Sequence, residues 1–157
     1  MTIKKTVGTD DNFLTLLKKL DSFLDRVIPK RIEAGLHSFF NLGNLKDIFL
    51  MTDRGRAVGS AGLWCHDGEQ CELIKVYVED DYRGHGIAPK LIAQVEKLAR
   101  EKGYDRIFGR IAMQQDSAIK MYNKLGYQTV PDEDFKYANR NKFPLIAGTW
   151  IYIMKKL

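Results

Sequence analysis

The stretch 71–100 constrains the fold of this chain more than any other part of the sequence. Residues 71–78 contain no glycine or proline and end in the β-favouring run Val-Tyr-Val, which predicts a buried strand. A turn with two glycines follows at 83–88, and apolar residues then recur at helical spacing. Pro89 suits the first position of this helix, and Gly103 suits the position just after its end. The stretch therefore predicts a strand, a glycine turn and an amphipathic helix.

The two glycines of this turn, Gly84 and Gly86, predict an anion site. Glycine lets the backbone turn tightly, so bare N–H groups approach a ligand, and the unpaired N–H groups and dipole of the new helix point the same way. Phosphate oxygens suit such a site, which suggests a phosphorylated cofactor. The alternative is an ordinary βα turn that merely uses glycine. The P-loop string G-x-x-x-x-G-K-[ST] does not occur, and Pro89 stands where the dinucleotide fingerprint needs a third small residue.

Composition narrows the class of protein. The 157 residues suit one domain, 1–157, with a proper core. The formal net charge of +5 is mild and scattered, which suits an anionic ligand but disfavours nucleic acid, whose partners carry a dense basic stripe. The sequence has no apolar run as long as a membrane helix and no signal-peptide pattern, so we expect no membrane partner and a cytoplasmic location.

The two cysteines, Cys65 and Cys71, flank a short turn. A cross-strand disulfide is geometrically feasible there, but two reduced thiols are favoured in a chain without a secretion signal. The cysteines and histidines lack the spacing of a metal site, so we expect no metal.

Helical patterns lie on both sides of the central stretch. Cap-type residues at 9–11 precede a helical pattern that Pro29 breaks, and a second helical piece spans 31–40. After the central stretch, Asp116 or Ser117 caps a further helix that stops at a glycine.

Strand patterns complete an α+β domain with a mixed sheet. They occur at 3–7, 48–52, 57–64, 106–112, 127–130 and 148–154. Residues 53–56 read as a hairpin turn, and Gly59 and Gly62 indicate a bulge or a close backbone approach. A right-handed crossover makes 106–112 parallel to 71–78.

Two signatures resemble those of a known family, the GNAT acetyltransferase superfamily. Its acyl-CoA pyrophosphate loop, R-x-x-G-x-[GA], is similar to RGHGIA at 83–88, and its central strand resembles ELIKVYV at 72–78. Its second signature, A-x-x-x-Y-x-x-x-G-[FY], resembles AIKMYNKLGY at 118–127. The resemblance implies a mixed, mostly antiparallel sheet, with a central parallel pair splayed at the cofactor site and helices on both faces. It also implies that the last strand is antiparallel.

The resemblance further implies a function, the transfer of an acetyl group from acetyl-CoA to a primary amine. Family members do this by direct attack in a ternary complex, with no covalent enzyme intermediate. The rival hypothesis is a non-catalytic acyl-CoA-binding module that senses or scaffolds. A homodimer is common among such folds.

By the same resemblance, acetyl-CoA contacts the central strand, the glycine loop and the start of a later helix. The residues implied are Val76, Tyr77, Val78, Arg83, Gly84, His85, Gly86, Ile87, Ala88, Gln115 and Ser117. At His85 the backbone amide matters more than the ring. Gln115 departs from the family, because many members carry an asparagine at that place.

Tyr122 and Glu72 are the catalytic candidates. Tyr122 occupies the family's general-acid position, where a phenol protonates the departing thiolate; the alternative is a tyrosine that only packs on the apolar face of its helix. Glu72 matches a glutamate that some members carry as general base; the alternative is a solvent-facing strand residue paired with a lysine.

The acceptor surface is expected from 29–43 and 131–147, where aromatic residues line a pocket or belong to the core. Small amine metabolites, polyamines, peptide N-termini and lysine side chains all stay open as acceptors. The second segment is expected to be solvent-exposed and positively charged, which makes an acidic acceptor a hypothesis. The residues concerned are Phe135, Lys136, Tyr137, Arg140, Lys142 and Phe143.

Overall fold

A seven-stranded sheet organises the computed structural model of this chain, within the residues that it describes, 1–27, 41–112, 115–138 and 150–157. The strand order is β1-β2-β3-β4-β5-β7-β6. The strands are β1 Thr2–Thr6, β2 Asp47–Asp53, β3 Arg56–Cys65, β4 Cys71–Val78, β5 Arg106–Ala112, β6 Gln128–Val130 and β7 Trp150–Lys156. β4 and β5 pair in parallel and all the other pairs are antiparallel, which confirms the predicted mixed sheet.

The helices of the described residues are α1 Asp11–Val27, α2 Ile87–Glu101 and α3 Asp116–Lys124. Short 3₁₀ turns occur at Leu42–Asn44, Asp80–Tyr82 and Asp132–Asp134. Asp10 caps α1, because its Oδ1 accepts hydrogen bonds from the backbone N–H groups of Asn12 and Phe13. Gly103 follows the end of α2 with a φ of +89°, as predicted. The helix predicted at 31–40 lies outside the described residues.

Two details of the helix starts were predicted wrongly. α2 begins at Ile87 with Gly86 as its N-cap, so Pro89 is the third helical residue rather than the first. The missing N–H of proline is still harmless there, because the first turn of a helix has no intrahelical partners for its N–H groups. α3 begins at Asp116 with Gln115 as its N-cap, so neither Asp116 nor Ser117 is the cap.

The two faces of the sheet carry separate apolar clusters. Successive residues of a strand point to opposite faces, so Phe49 and Leu73 pack with α2 and α3, while Leu50 and Ile74 pack with α1. Beyond α1 on its side of the sheet, a third cluster contains Phe108, Phe135, Tyr137 and Tyr152. Helices therefore cover both faces, as predicted.

The central strand β4 is irregular along both of its edges. Toward β3, Ile74 faces Gly62 and Tyr77 faces Ser60, so β4 carries one extra residue, which is a β-bulge. Lys75 in this bulge has a φ of +53°. Toward β5, the ladder ends at the pair Leu73 and Gly109, although both strands continue. The parallel pair therefore splays apart beyond Leu73.

The glycines predicted to mark a close approach do so. A Cβ atom built at Gly62 would lie 2.6 Å from Ile48 Cδ1, and one at Gly59 would lie 3.0 Å from Ile87 Cγ2. The missing side chain at Gly59 lets the start of α2 rest directly on β3, beside the splayed strand.

Glu79 is the residue directly after β4, and its side chain joins α1 to the β2–β3 hairpin. Its buried carboxylate accepts hydrogen bonds from Lys19 Nζ and Arg56 Nη2. Burial raises the pKa of Glu79, but the two cations outweigh it and hold the pKa below the ordinary value of 4.5. A carboxyl group whose pKa is lower in the folded than in the unfolded state stabilises the fold at pH values above its unfolded-state pKa. That contribution is lost as the pH falls through the folded pKa.

We therefore expect Glu79→Gln to lower the Tm at neutral pH and to weaken the fall in Tm below about pH 4.5, where an unfolded glutamate takes up its proton. Thermal unfolding followed by circular dichroism at neutral and acid pH measures both effects. Asp81→Asn at an exposed neighbouring position is the control and should keep the wild-type acid sensitivity. Equal acid sensitivity of Glu79→Gln and the wild type would contradict the prediction.

Candidate active site

A cavity of about 650 Å³ opens where β4 and β5 diverge. Its wall includes Leu20 and Phe23 of α1 on one face of the sheet, and Ala88 of α2 and Tyr122 of α3 on the other. The space left by the splayed strands therefore connects the two faces. Such a cavity is large enough for a small-molecule ligand.

One end of the cavity is the glycine loop between β4 and α2. Gly84 and Gly86 have φ values of +80° and +71°, in the left-handed region that favours glycine. A Cβ built at either position would meet no atom within 4 Å, so the backbone there faces open space. Gly86 is also the N-cap of α2, so the free N–H groups and the dipole of the helix face this end. The loop has the features of an anion site.

The side chain of Arg83 holds the wall of this end together. Its Nε donates to the carbonyl of Val78 over 3.1 Å, and its Nη2 lies 2.8 Å from Asp80 Oδ1. Its guanidinium carbon also lies 5.3 Å from the ring centroid of Phe23 and 5.9 Å from that of Tyr77. Arg83 therefore links the end of β4, the following turn and α1 at this end of the cavity.

The structure places nearly all of the predicted cofactor-binding residues around this cavity. The residues that line the cavity are Val76, Tyr77, Val78, Arg83, Gly84, Gly86, Ile87, Ala88, Gln115 and Ser117. His85 is exposed on the loop, and its Nδ1 donates to the carbonyl of Tyr82 over 3.2 Å. Its ring therefore turns toward the loop itself, and among the predicted cofactor-binding residues His85 is the one that does not line the cavity.

Tyr122 stands in the cavity wall on α3. Its side chain is 8 % exposed, and its ring meets the ring of Tyr127 edge to face at 5.4 Å. Burial raises the pKa of Tyr122, so the phenol keeps its proton at neutral pH. The residue both packs in the core and borders the cavity.

Glu72 also belongs to the wall, but in a different setting from the one that the sequence suggested. It is 3 % exposed rather than solvent-facing, and its partners are an arginine and a histidine rather than a lysine. Arg110 donates from Nε to Oε1 over 2.8 Å and from Nη2 to Oε2 over 3.3 Å. His66 Nε2 lies 2.8 Å from Oε2. The carboxylate therefore accepts three hydrogen bonds, which is close to its capacity.

His66 and Arg110, which sequence reasoning did not select, both line the cavity. Two alignments of the strands bring them to Glu72. Cys65 faces Cys71 across β3 and β4, so His66 follows at the turn beside Glu72. Glu72 faces Phe108 across β4 and β5, and Arg110 lies two residues further along β5 on the same face. Only this register, which joins residues far apart in the sequence, indicates that His66 and Arg110 meet Glu72.

Two aromatic residues of the segment after β6 are buried where the sequence suggested a solvent-exposed, cationic loop. Phe135 is 1 % exposed and Tyr137 is 4 % exposed, because both pack in the third cluster. Lys136 Nζ pairs with Asp67 Oδ2 at 2.8 Å, so its charge is neutralised. The prediction of an exposed surface was therefore wrong for Phe135 and Tyr137, whereas the Lys136 side chain is exposed. Arg140, Lys142, Phe143 and the aromatic residues at 37–40 lie outside the described residues.

Both cysteines are free thiols at the first rung of the β3–β4 ladder. Burial raises the pKa of Cys71 to about 12, so its thiol keeps its proton at neutral pH. Within the described ranges, no cluster of histidine, cysteine and carboxylate side chains is suited to hold a metal ion. None of the helices that the structure describes has the length and apolar character needed to cross a bilayer.

Comparisons with known proteins agree with this architecture. The model of the acetyltransferase (GNAT) family matches residues 19–127. An acetyltransferase of Pectobacterium atrosepticum is 36 % identical over 85 residues, which are 54 % of this chain and 60 % of that protein. The chain thus spans only about three-fifths of the length of the first curated relatives that it matches.

Solved structures share the fold over nearly the whole chain. The PaiA N-acetyltransferase of Thermoplasma acidophilum, solved in complex with coenzyme A, has a TM-score of 0.73 at 18 % identity and covers 100 % of both chains. A GNAT family acetyltransferase of Elizabethkingia anophelis with acetyl-CoA bound has a TM-score of 0.65 at 17 % identity, over 99 % of this chain and 97 % of that one. At such low identity the likeness concerns the fold.

Proposed function

Since the chain belongs to the acetyltransferase (GNAT) family, we propose that it is an acyltransferase that moves an acetyl group from acetyl-CoA to a primary amine by direct attack in a ternary complex. One observation carries the proposal. The cavity between the splayed strands joins an anion site at Gly84 and Gly86 to a protonated phenol at Tyr122. A thioester cosubstrate with a pyrophosphate at one end needs both features.

The cosubstrate is proposed to bind along the wall described above. The free N–H groups of the glycine loop and of the first turn of α2 suit the pyrophosphate oxygens. The β4–β5 ladder ends at Leu73, so the side of β4 that faces β5 is proposed to offer backbone groups, those of Val76 and Tyr77 among them, to an extended pantetheine arm. Gln115 and Ser117, at the start of α3, also line the cavity and are proposed to add side-chain polar groups. The acetyl-CoA held by a structural neighbour of the same fold supports this choice of cosubstrate.

Tyr122 is proposed as the general acid. The amine nitrogen attacks the thioester carbonyl carbon, a C–N bond forms and the C–S bond breaks, and the phenol gives its proton to the departing sulfur. Because burial raises the pKa of Tyr122, a free tyrosinate is unfavourable. We therefore propose that the nitrogen of the collapsing intermediate returns a proton as the sulfur takes one. A backbone N–H of the splayed strand near Tyr77 is proposed to stabilise the oxyanion.

Glu72 is proposed to assist in removing the proton of the acceptor ammonium. It lies in the cavity wall, which supports the role. Because its oxygens already accept three hydrogen bonds, it is proposed to act together with its partners rather than by direct contact with the amine.

The acceptor side of the cavity favours an amine with an apolar body. Leu20, Phe23 and Leu24 of α1 and the rings of Trp64 and Trp150 line it. Lys136 is neutralised by Asp67, and Arg110 is engaged by Glu72, so neither cation is offered to an acidic acceptor. We propose a small-molecule or peptide amine with an apolar side chain next to the amino group. The cytoplasmic location, the single domain and the homodimer stay predictions.

Thiol release from acetyl-CoA tests the function. The protein is mixed with acetyl-CoA and a panel of primary amines, namely arylalkylamines, polyamines, amino acids and short peptides, and products are checked by mass spectrometry. We expect amine-dependent thiol release, fastest for amines with an apolar body. Tight acetyl-CoA binding without release for any amine would contradict the proposal and favour the rival acyl-CoA sensor.

A further inference from the structure

We propose that His66 accepts the proton of the acceptor ammonium, and that Glu72 and Arg110 are positioning residues that act through it. The inference rests on the proposed function and names the residue that performs its first proton transfer. It starts from one anomaly. His66 Nδ1 is buried, yet it has no hydrogen-bond partner among the residues that the structure describes. An unpaired polar atom of this kind calls for a ligand or a water.

The neighbours of His66 decide which nitrogen carries the proton. An ionised carboxylate only accepts hydrogen bonds, so the 2.8 Å contact between His66 Nε2 and Glu72 Oε2 requires the hydrogen on Nε2. Nδ1 then carries the lone pair and is the basic nitrogen. A buried carboxylate behind one nitrogen and a free lone pair on the other is the arrangement of a general base whose cationic form the carboxylate stabilises.

Aromatic rings fix the plane of the imidazole. The ring of Tyr137 stacks on it with centroids 4.0 Å apart and planes inclined by 7°. The rings of Phe135 and Trp64 meet it edge to face at 5.6 Å and 6.4 Å. Because the side chain is only 3 % exposed and so enclosed, rotation that would bring Nδ1 to Glu72 is opposed.

Charged groups surround the imidazole on each packed element. β4 contributes Glu72 and β5 contributes Arg110, which also donates from Nη2 to the carbonyl of Tyr137 over 3.2 Å. The hydroxyl of Tyr137 donates to Asp67, whose carboxylate is paired with Lys136. The imidazolium formed by proton uptake keeps the hydrogen bond from Nε2 to Glu72. Arg110 pairs with the same carboxylate, so Glu72 has a cationic partner before the proton arrives as well.

The protons balance over one turnover. The acceptor ammonium gives one proton to His66 Nδ1 through one water, and the neutral amine attacks the thioester carbon. The nitrogen loses a second proton as the C–S bond breaks, which replaces the proton that Tyr122 gives to the sulfur. His66 then releases its proton to solvent, so each acetylation yields one amide, one thiol and one proton.

His66→Gln tests the inference, because its amide can still donate to Glu72 but has no basic nitrogen. With an alkylamine acceptor we expect kcat to fall about 10²–10³-fold at neutral pH, and the acid limb of its pH profile to move to the higher pH at which the free amine itself loses its proton. With an alkoxyamine, which is neutral at pH 7, the variant should keep most of the wild-type kcat. Calorimetry with acetyl-CoA should give the wild-type affinity.

A second variant separates positioning from proton transfer. Glu72→Gln keeps a hydrogen-bond acceptor for His66 but removes the carboxylate that stabilises the imidazolium, so the acid limb should move to lower pH with a smaller loss of kcat. An equal loss for alkylamine and alkoxyamine in His66→Gln, or a full alkylamine rate, would overturn the inference while the proposed function stands. A wild type that releases no thiol with any amine would overturn both.

If His66→Gln does not fold, nitrogen NMR of the wild type decides. The chain has three histidines, so the imidazole signals can be assigned with variants of the other two. The inference expects His66 to carry its hydrogen on Nε2 at neutral pH. A hydrogen on Nδ1 in that state would overturn it.

Discussion

Replacing Tyr122 with phenylalanine is expected to lower kcat for acetyl transfer by about 10²–10⁴-fold and to leave the affinity for acetyl-CoA unchanged. The variant removes only the hydroxyl that would protonate the departing sulfur. The ring still fills its place in the core beside Tyr127, so the cavity keeps its shape. Steady-state thiol release gives kcat, and calorimetry gives the dissociation constant.

Tyr127→Phe is the matched control. Its ring packs against that of Tyr122, but its hydroxyl donates to the buried carboxylate of Glu96 over 3.0 Å. Lys155 Nζ also donates to both oxygens of that carboxylate, so the loss of one hydrogen bond should cost only about 1 kcal/mol of stability. We expect wild-type kcat for Tyr127→Phe. Full activity of Tyr122→Phe would show that Tyr122 only packs.

Gly86→Glu is expected to abolish acetyl-CoA binding. The residue would place a side chain and a negative charge on the anion site, at the N-cap of α2 and next to the N–H groups proposed to hold the pyrophosphate. For the wild type, a ligand at about 1,000 times its Kd adds about 4 kcal/mol of stability and raises the Tm. Differential scanning calorimetry with and without acetyl-CoA should show no such rise in the variant.

Gly55→Glu controls for backbone strain. Gly55 has a φ of +81°, close to the +71° of Gly86, and a Cβ at either position would meet no atom within 4 Å. Both variants should therefore lose about 1–2 kcal/mol from the left-handed backbone alone. Gly55 lies in the β2–β3 hairpin, away from the cavity, so this variant should keep the full rise in Tm. Equal rises in both variants would mean that the glycine loop does not hold the cosubstrate.

The fold was largely predictable because its main signals are local. The β-favouring run before the loop, the paired glycines and the apolar period of α2 each specify structure within a few residues, and the right-handed crossover then makes β4 and β5 parallel. The splay between these strands came from the family resemblance. Strand patterns alone do not reveal where a ladder ends.

The parts of the candidate site that were missed depend on long-range contacts. Glu72 was found from its place on the central strand, but its partners His66 and Arg110 are fixed by the register of three strands. Phe135 was assigned to an open loop because its polar neighbours dominate the local sequence. In the structure its ring stacks on that of Phe108 at 4.8 Å, which no local pattern announces.

Calorimetric titration of the wild-type chain with acetyl-CoA tests the central claim, that the cavity between the splayed strands is an acyl-CoA site. We predict saturable binding of one acetyl-CoA per chain, with a micromolar Kd and a weaker interaction at high salt, because the loop recognises an anion. The absence of binding by the folded protein would mean that the glycine loop is only a turn, and the proposed function would fall with it.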